Sequence, residues 1–359
     1  MIRILHIYPQ LNNAGTEMVI MNLYKNINRK QVQFDFLVQK KGELDKSFRD
    51  MGAHIFYISN EGEYSRALLT FYKEHAEYQI IHTHTHQEMG MVLKMAAKTG
   101  IPYRIAHSHN YRGDVPKFMR YYKMIKSWDI ETYATHLIAC SEEAAAWLFP
   151  RTYKKCAIWN NAIDLQAFSY NDEIRKEYRN KFQIPENAKV ICHVGRFAEQ
   201  KNHKRIVTLL NKLIERDEKI YGILVGVGPL HEEMKGVANS EQILFVGNRT
   251  DVPSILCAAD VFLFPSLYEG LGIVAVEAQA NGLMCISSTN VPKAADIGTN
   301  SFFQIPLEEK DEVWIMEILR VLQSCNHNER INRSKASLMS HYNIKRVAEY
   351  AQNFYLTLK

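Results

Sequence analysis

No run of apolar residues in this chain approaches the roughly 20 that a membrane-spanning helix needs, so no transmembrane segment is expected. The opening MIRILHIYPQ has no extended apolar core and no small-residue cleavage site, and reads as a first β-strand rather than a signal peptide. Cysteines are few and scattered (Cys140, Cys156, Cys192, Cys257, Cys285 and Cys325) with no CxxC pair. That argues against a disulfide framework and against a cysteine zinc site, and fits a reducing cytoplasm. Short internal repeats and low-complexity tracts are also missing. Strong charge is absent too: the net charge is +5, and all of the excess lies in the first half, where residues 1–170 carry 21 Lys+Arg against 16 Asp+Glu. Such a bias suits a phosphate or an acidic lipid surface and is too weak to make nucleic acid the main partner.

What is present is ordinary for a soluble globular protein, with 47% hydrophobic and 23% charged residues. At 359 residues the chain exceeds one comfortable core, so two domains are expected. Short β-branched runs alternate with helical spacing. Strands are predicted at Ile2–Tyr8, Phe34–Val38, His54–Ile58, Ile80–Thr83, Tyr103–His107, His136–Ala139 and Cys156–Trp159, with helices such as Thr16–Asn26 and Met89–Lys98 between them. The pattern pauses near residue 165 and restarts with strands at Val190–Val194, Gly222–Val225, Ile243–Val246, Val261–Phe264 and Met284–Ser287. Alternation of this kind implies parallel sheets covered by helices. The expected fold class is α/β, with two doubly wound Rossmann-like domains, 1–165 and 166–342. A last helix, about 343–359, is free to pack back on either one.

Ligands of such sheets bind beyond the carboxyl ends of the strands. Four loops there carry glycine: Asn13–Thr16, Gly195–Arg196, Gly226–Pro229 and Gly270–Gly272. Glycine lets a backbone approach a ligand, and a following helix offers free N–H groups to an anion. The cleft between the domains is therefore the expected site. In "HVGRFAEQKNH", Arg196 and Lys201 follow a buried strand and suit a diphosphate, although a solvated helix start would look the same. In "FPSLYEGLGIVAVEAQANG", Glu269 lies in a loop where it can accept hydrogen bonds from sugar hydroxyls. Glu277 falls about a turn into the next helix, placed for a ribose, and the N–H groups of Gly270, Leu271, Gly272 and Ile273 can face phosphate.

That last stretch resembles the EX7E motif of retaining glycosyltransferases of GT-B architecture, family 4. "NAGTE" (13–17), "RIAHSHN" (104–110), "IACSE" (138–142), "NNAID" (160–164), "GRFAEQKN" (195–202) and "LVGVGPL" (224–230) resemble further family segments in the family's order. The resemblance implies that Arg196 and Lys201 bind the donor diphosphate, Glu277 the ribose and Glu269 the transferred sugar. Gly15 would let the first loop close over the phosphates. His107 would lie near sugar and acceptor, with His109 as an alternative, and Thr16, Glu17 and His84 fall on the acceptor side. The implied reaction transfers a sugar from a nucleotide-sugar, a UDP-sugar first, to a saccharide or lipid-linked saccharide, without a metal or other cofactor. The alternatives are a nucleotide-sugar epimerase, which would need no acceptor, and a non-catalytic nucleotide-sugar-binding protein. Met284 where the family has proline, and Asp296 as the nearest acid to Lys293–Ala295, leave the nucleotide and sugar open.

Two features stand apart. His82, His84 and His86 would share one face of an extended strand, as metal ligands do. No carboxylate or cysteine completes a set in sequence, and His84 reads instead as a cleft-lining residue. Between Arg112 and Trp128, Lys117, Arg120, Lys123 and Lys126 recur every three residues beside aromatic and apolar ones. Such a helix either packs on its domain with a solvated basic side or lies on an anionic membrane. A cytoplasmic protein, peripheral on the inner face of the cell membrane, is the expectation that joins this segment to a lipid-linked acceptor.

Overall fold

The computed structural model describes residues 1–12, 15–58, 63–86, 88–109 and 127–358. The chain forms two compact units, one of residues 1–163 with 344–359 and one of residues 164–343. The chain returns to the first unit at Ile344, whose N–H donates to the Ile163 carbonyl at 3.0 Å. The final helix, Ile344–Thr357, thus belongs to the first unit, where Ile344, Ala348, Ala351 and Tyr355 are buried in its core.

The first unit holds seven parallel strands: β1 (Ile2–Gln10), β2 (Val32–Lys40), β3 (Ile55–Tyr57), β4 (Ile80–Thr83), β5 (Tyr103–Ser108), β6 (His136–Ala139) and β7 (Ala157–Ile158). Their order is β3-β2-β1-β4-β5-β6-β7. Both faces are covered, and alternate residues of β1 divide between them as the pleat requires. Ile4 and Tyr8 join Phe34, Phe36 and the helices Gly15–Asn26 and Ile344–Thr357, while Leu5 and Ile7 join Leu37, Ile81, Leu68 and Val92.

The second unit repeats the plan with β8 (Lys189–Val194), β9 (Ile220–Val225), β10 (Ile243–Gly247), β11 (Val261–Phe264), β12 (Met284–Ser288) and β13 (Phe302–Ile305), ordered β10-β9-β8-β11-β12-β13. The helix His203–Arg216 buries Ile206, Val207, Leu209, Leu210 and Leu213, spaced as one face of a helix demands. Sequence patterning did not reveal β13, whose edge position leaves three of its four residues only partly buried. The polar segment that follows the pause near residue 165 contains the helix Asp172–Lys181. Among the described residues, no helix is long and apolar enough to cross a membrane, and all six cysteines are free.

Asp260 ties this helix to the sheet. Its carboxylate accepts from Arg175 at 2.6 Å, from Arg179 at 2.8 Å and from the Val190 N–H at 2.7 Å. Arg179 is 3% exposed, so removing its counter-charge strands a buried guanidinium. Asp260→Asn should lower the stability of the second unit by about 3 kcal/mol, read as a shift in its urea midpoint with unchanged slope.

Candidate active site

In a doubly wound sheet, loops diverge where the strand order reverses and leave a crevice between them. In the second unit that point lies between β8 and β11. The loop after β8 passes through the turn Glu199–Lys201 into the helix His203–Arg216, and the loop after β11 leads into the helix Ile273–Ala280. Three hydrogen bonds stitch the loops together. The Leu267 N–H donates to the Gln200 carbonyl at 2.8 Å. The side-chain amides of Gln200 and Asn202 donate to the carbonyls of Tyr268 at 3.0 Å and Pro265 at 3.1 Å. The result brings Lys201 Nζ to 2.6 Å from Glu269 Oε1, with 16% and 7% of the two side chains exposed. Lys201 also stands 4.9 Å from the centre of the Phe264 ring.

Gly272 begins the next helix at φ +81°, and a Cβ there would stand 2.9 Å from a Phe264 ring carbon. Glycine is therefore required twice over, by backbone sign and by space. No side chain caps this end of the helix, so its first N–H groups are available to an anion. Glu277 sits a turn further in. Burial pushes its carboxyl up to about 8, with Lys201 pulling the other way.

Beside this lies a cavity of about 410 Å³ lined by Val194, Gly195, Arg196, Val225–Gly228, Asn248, Arg249 and Val252. Its floor is backbone against backbone. A Cβ on Gly226 would come within 2.1 Å of the Gly195 carbonyl oxygen, and one on Gly228 within 2.4 Å of the Phe197 oxygen. The Phe197 N–H donates to the Val227 carbonyl at 3.0 Å. Arg196 is exposed at the cavity and forms no ion pair among the described residues. Arg249 is engaged by Asp251, its Nε at 2.8 Å from Oδ1. Asn248, Arg249 and Val252 were not among the residues expected from sequence; the signal nearest to them is Gly247, the glycine that ends β10.

The first unit has its own reversal point, between β1 and β4. Gly15 is exposed there, with open space where a Cβ would stand, and Thr16 Oγ1 donates to Glu17 Oε2 at 2.7 Å. Asn13 and Ala14 lie outside the described residues, as do Lys117, Arg120, Lys123 and Lys126. The strand registers His6↔His82 and His82↔Ile105 put His6, His82, His84, His107 and His109 on one face. All five are buried. His86 departs from them, because β4 ends at Thr83 and His86 turns away at φ +50°. His84 lies just past the end of β4, and its ring nitrogens meet His6 Nδ1 at 3.0 Å and His109 Nε2 at 2.7 Å. Ring nitrogens of His6, His82 and His84, and of His84, His107 and His109, lie within 4.8 Å of one another. Burial lowers every one of these imidazoles, His6 to about 3 and His109 to about 4, so each is neutral near pH 7.

The chain is 32% identical to EpsF of Bacillus subtilis strain 168, which is named as a glycosyltransferase, over 89% of this chain and 87% of that one. It belongs to the glycosyltransferases. Residues 14–167 of the transferase match the model of glycosyltransferase family 4, and residues 174–337 that of glycosyl transferases group 1. It is 25% identical to the UDP-Gal:alpha-D-GlcNAc-diphosphoundecaprenol alpha-1,3-galactosyltransferase of Escherichia coli, over 99% of this chain and 97% of that one. In fold it matches HepE of Anabaena, solved in complex with UDP, with a TM-score of 0.84, 14% identity and coverage of 99% and 100%. Its two parallel-sheet units are those of the GT-B architecture.

Glu277 gives the transferase a pH signature. A carboxyl raised in the folded state stabilises the protein fully below the unfolded value, and that contribution fades as pH rises from about 4.5 to about 8. Glu277→Gln should leave stability unchanged at pH 4 and raise it by about 2 kcal/mol at pH 9, measured by urea unfolding at both pH values.

Proposed function

We propose that this transferase moves a hexose from a nucleotide-sugar, in the first place a UDP-sugar, to a saccharide or lipid-linked saccharide, with retention at the anomeric carbon, in the assembly of a surface polysaccharide. The observation that carries the reading is the convergence at one reversal point of the cavity beside Arg196, the Lys201–Glu269 pair, Glu277 and an uncapped helix end. UDP in HepE, and the UDP-Gal donor and diphosphoundecaprenol acceptor in the name of the E. coli relative, support the choice of donor and acceptor.

In this reading the cavity takes the base and the Glu277 carboxyl hydrogen-bonds the ribose hydroxyls. Arg196, Lys201 and the N–H groups of Gly270, Leu271, Gly272 and Ile273 hold the diphosphate. Without substrate, Lys201 is occupied by Glu269. An arriving diphosphate competes for the ammonium and frees a Glu269 oxygen for the hydroxyls of the sugar being transferred. As the bond to the anomeric carbon breaks, negative charge grows on the departing phosphate, where fixed cations and helix N–H groups already point. These groups supply the charge stabilisation without calling on a divalent cation. Glu269 and Glu277 are binding groups here, not the acid–base pair of a retaining hydrolase. In the first unit, the resemblance to family 4 assigns Gly15 to the phosphates, Thr16 and Glu17 to the acceptor, and His107, or alternatively His109, to the sugar.

Release of free nucleotide from a panel of UDP-, GDP- and ADP-sugars in EDTA tests this. One donor should be turned over, with a loss of about 100-fold or more in Arg196→Ala and in Glu269→Ala. Failure to bind any nucleotide would overturn the reading. We further propose that the protein meets a lipid-linked acceptor at the inner face of the membrane, through the basic segment of Lys117, Arg120, Lys123 and Lys126. Changing all four to glutamine should weaken co-sedimentation with anionic liposomes, and unchanged sedimentation would dispose of that contact.

A further inference from the structure

The five buried histidines of the first unit form two separate hydrogen-bonded chains. One runs from His6 through His84 to His109. The other starts at the hydroxyl of Tyr355, on the final helix, which lies 2.7 Å from His82 Nδ1, and continues from His82 Nε2 to His107 Nδ1 at 3.1 Å. It ends at His107 Nε2, which is buried and has no hydrogen-bond partner among the described residues. A neutral imidazole carries one ring proton, so in such a chain the direction of the first hydrogen bond fixes all the others. If Tyr355 donates to His82 Nδ1, then His82 Nε2–H donates to His107 Nδ1 and His107 holds its proton on Nε2. If Tyr355 accepts, the order reverses, and His107 Nε2 is left as a bare acceptor.

Either order leaves one spare proton, and its position decides between them. With Tyr355 as acceptor, the spare proton is the phenol's own, on a fully buried side chain whose ring packs against Phe34 and Trp159. With Tyr355 as donor, it sits on His107 Nε2, near the carboxyl end of β5, the end of the sheet where ligands bind. A buried donor without an acceptor is costly, and only the second order places that donor where a ligand can satisfy it. The His6–His84–His109 chain has no hydroxyl at its root; the side chain of Asn161 stands beside His109 at its far end instead.

We propose that Tyr355 is a positioning residue that holds His107 as the Nε2–H tautomer, so that His107 donates a hydrogen bond to a hydroxyl oxygen of the bound sugar and does not act as a base. The sugar as recipient rests on the reading given under Proposed function; the tautomer does not. Tyr355→Phe removes one oxygen and keeps the ring, and 4-aminophenylalanine at position 355 restores a donor.

Ring-15N-labelled histidine in the whole protein, with His107 assigned from His107→Gln, reports the tautomer directly by long-range proton–nitrogen correlation. The wild type should show His107 protonated on Nε2, and Tyr355→Phe should raise the share protonated on Nδ1 about tenfold. The 4-aminophenylalanine protein should return to the wild-type ratio, while His109 stays unchanged throughout. Histidine alone already leans to the Nε2–H form, so the change on removing the hydroxyl is the deciding reading. A wild-type His107 protonated on Nδ1, or a ratio indifferent to residue 355, would overturn the proposal. Failure of the donor panel, with the tautomer as expected, would instead remove only the sugar as its recipient.

Discussion

The first strand of each unit ends up in the interior of its sheet, and the placing of the polar chemistry follows from that one constraint. Because β1 and β8 pair on one side with the next strand in sequence and on the other with a much later one, the loops beyond them diverge. All strands are parallel, so every carboxyl end lies on the same edge of its sheet. Side chains far apart in sequence therefore meet at one point in each unit: Lys201 with Glu269 in the second, and His6 with His82, His84, His107 and His109 in the first.

The two points handle charge in opposite ways. In the second unit, a lysine and a glutamate are brought together with little exposure, and a second glutamate is held nearby with its carboxyl raised by burial. Ion pairs so enclosed contribute little net stability against an apolar alternative. Their use is to store a cation and a carboxylate beside a helix end and a cavity, in a balance that an entering diphosphate can shift. The glycines around them serve the same purpose: at Gly226 and Gly228 a side chain would collide with carbonyl oxygens, and close backbone contact is what shapes the cavity.

In the first unit, the clustered imidazoles carry no charge. Five imidazoles are stacked and hydrogen-bonded on one sheet face, with His107 and His109 ring centres 3.9 Å apart. Burial keeps them neutral, since a single protonated ring there would face its neighbours without solvent. Such a network conveys orientation rather than charge. The final helix contributes to it through Tyr355, which gives that helix a role beyond covering the sheet.

The strands, the two wound units and the loops around Arg196, Lys201, Glu269 and Glu277 were legible in the sequence, because β-branched runs, helical spacing and glycine after a strand are local signals of local physics. The edge strand Phe302–Ile305 was not, since partial burial erases the apolar pattern that marks a central strand. Nor were Asn248, Arg249 and Val252, which join the cavity only because β10 lies two strands from β8. The sequence also offered the wrong histidine trio: spacing of two groups His82, His84 and His86, but β4 stops at Thr83, and parallel pairing with β1 and β5 brings in His6, His107 and His109 instead. Sequence by itself determined which segments become strands and helices and which loops carry charge. Tertiary structure decided the partners, because strand order and register bring together residues whose separation in the chain holds no trace of their contact.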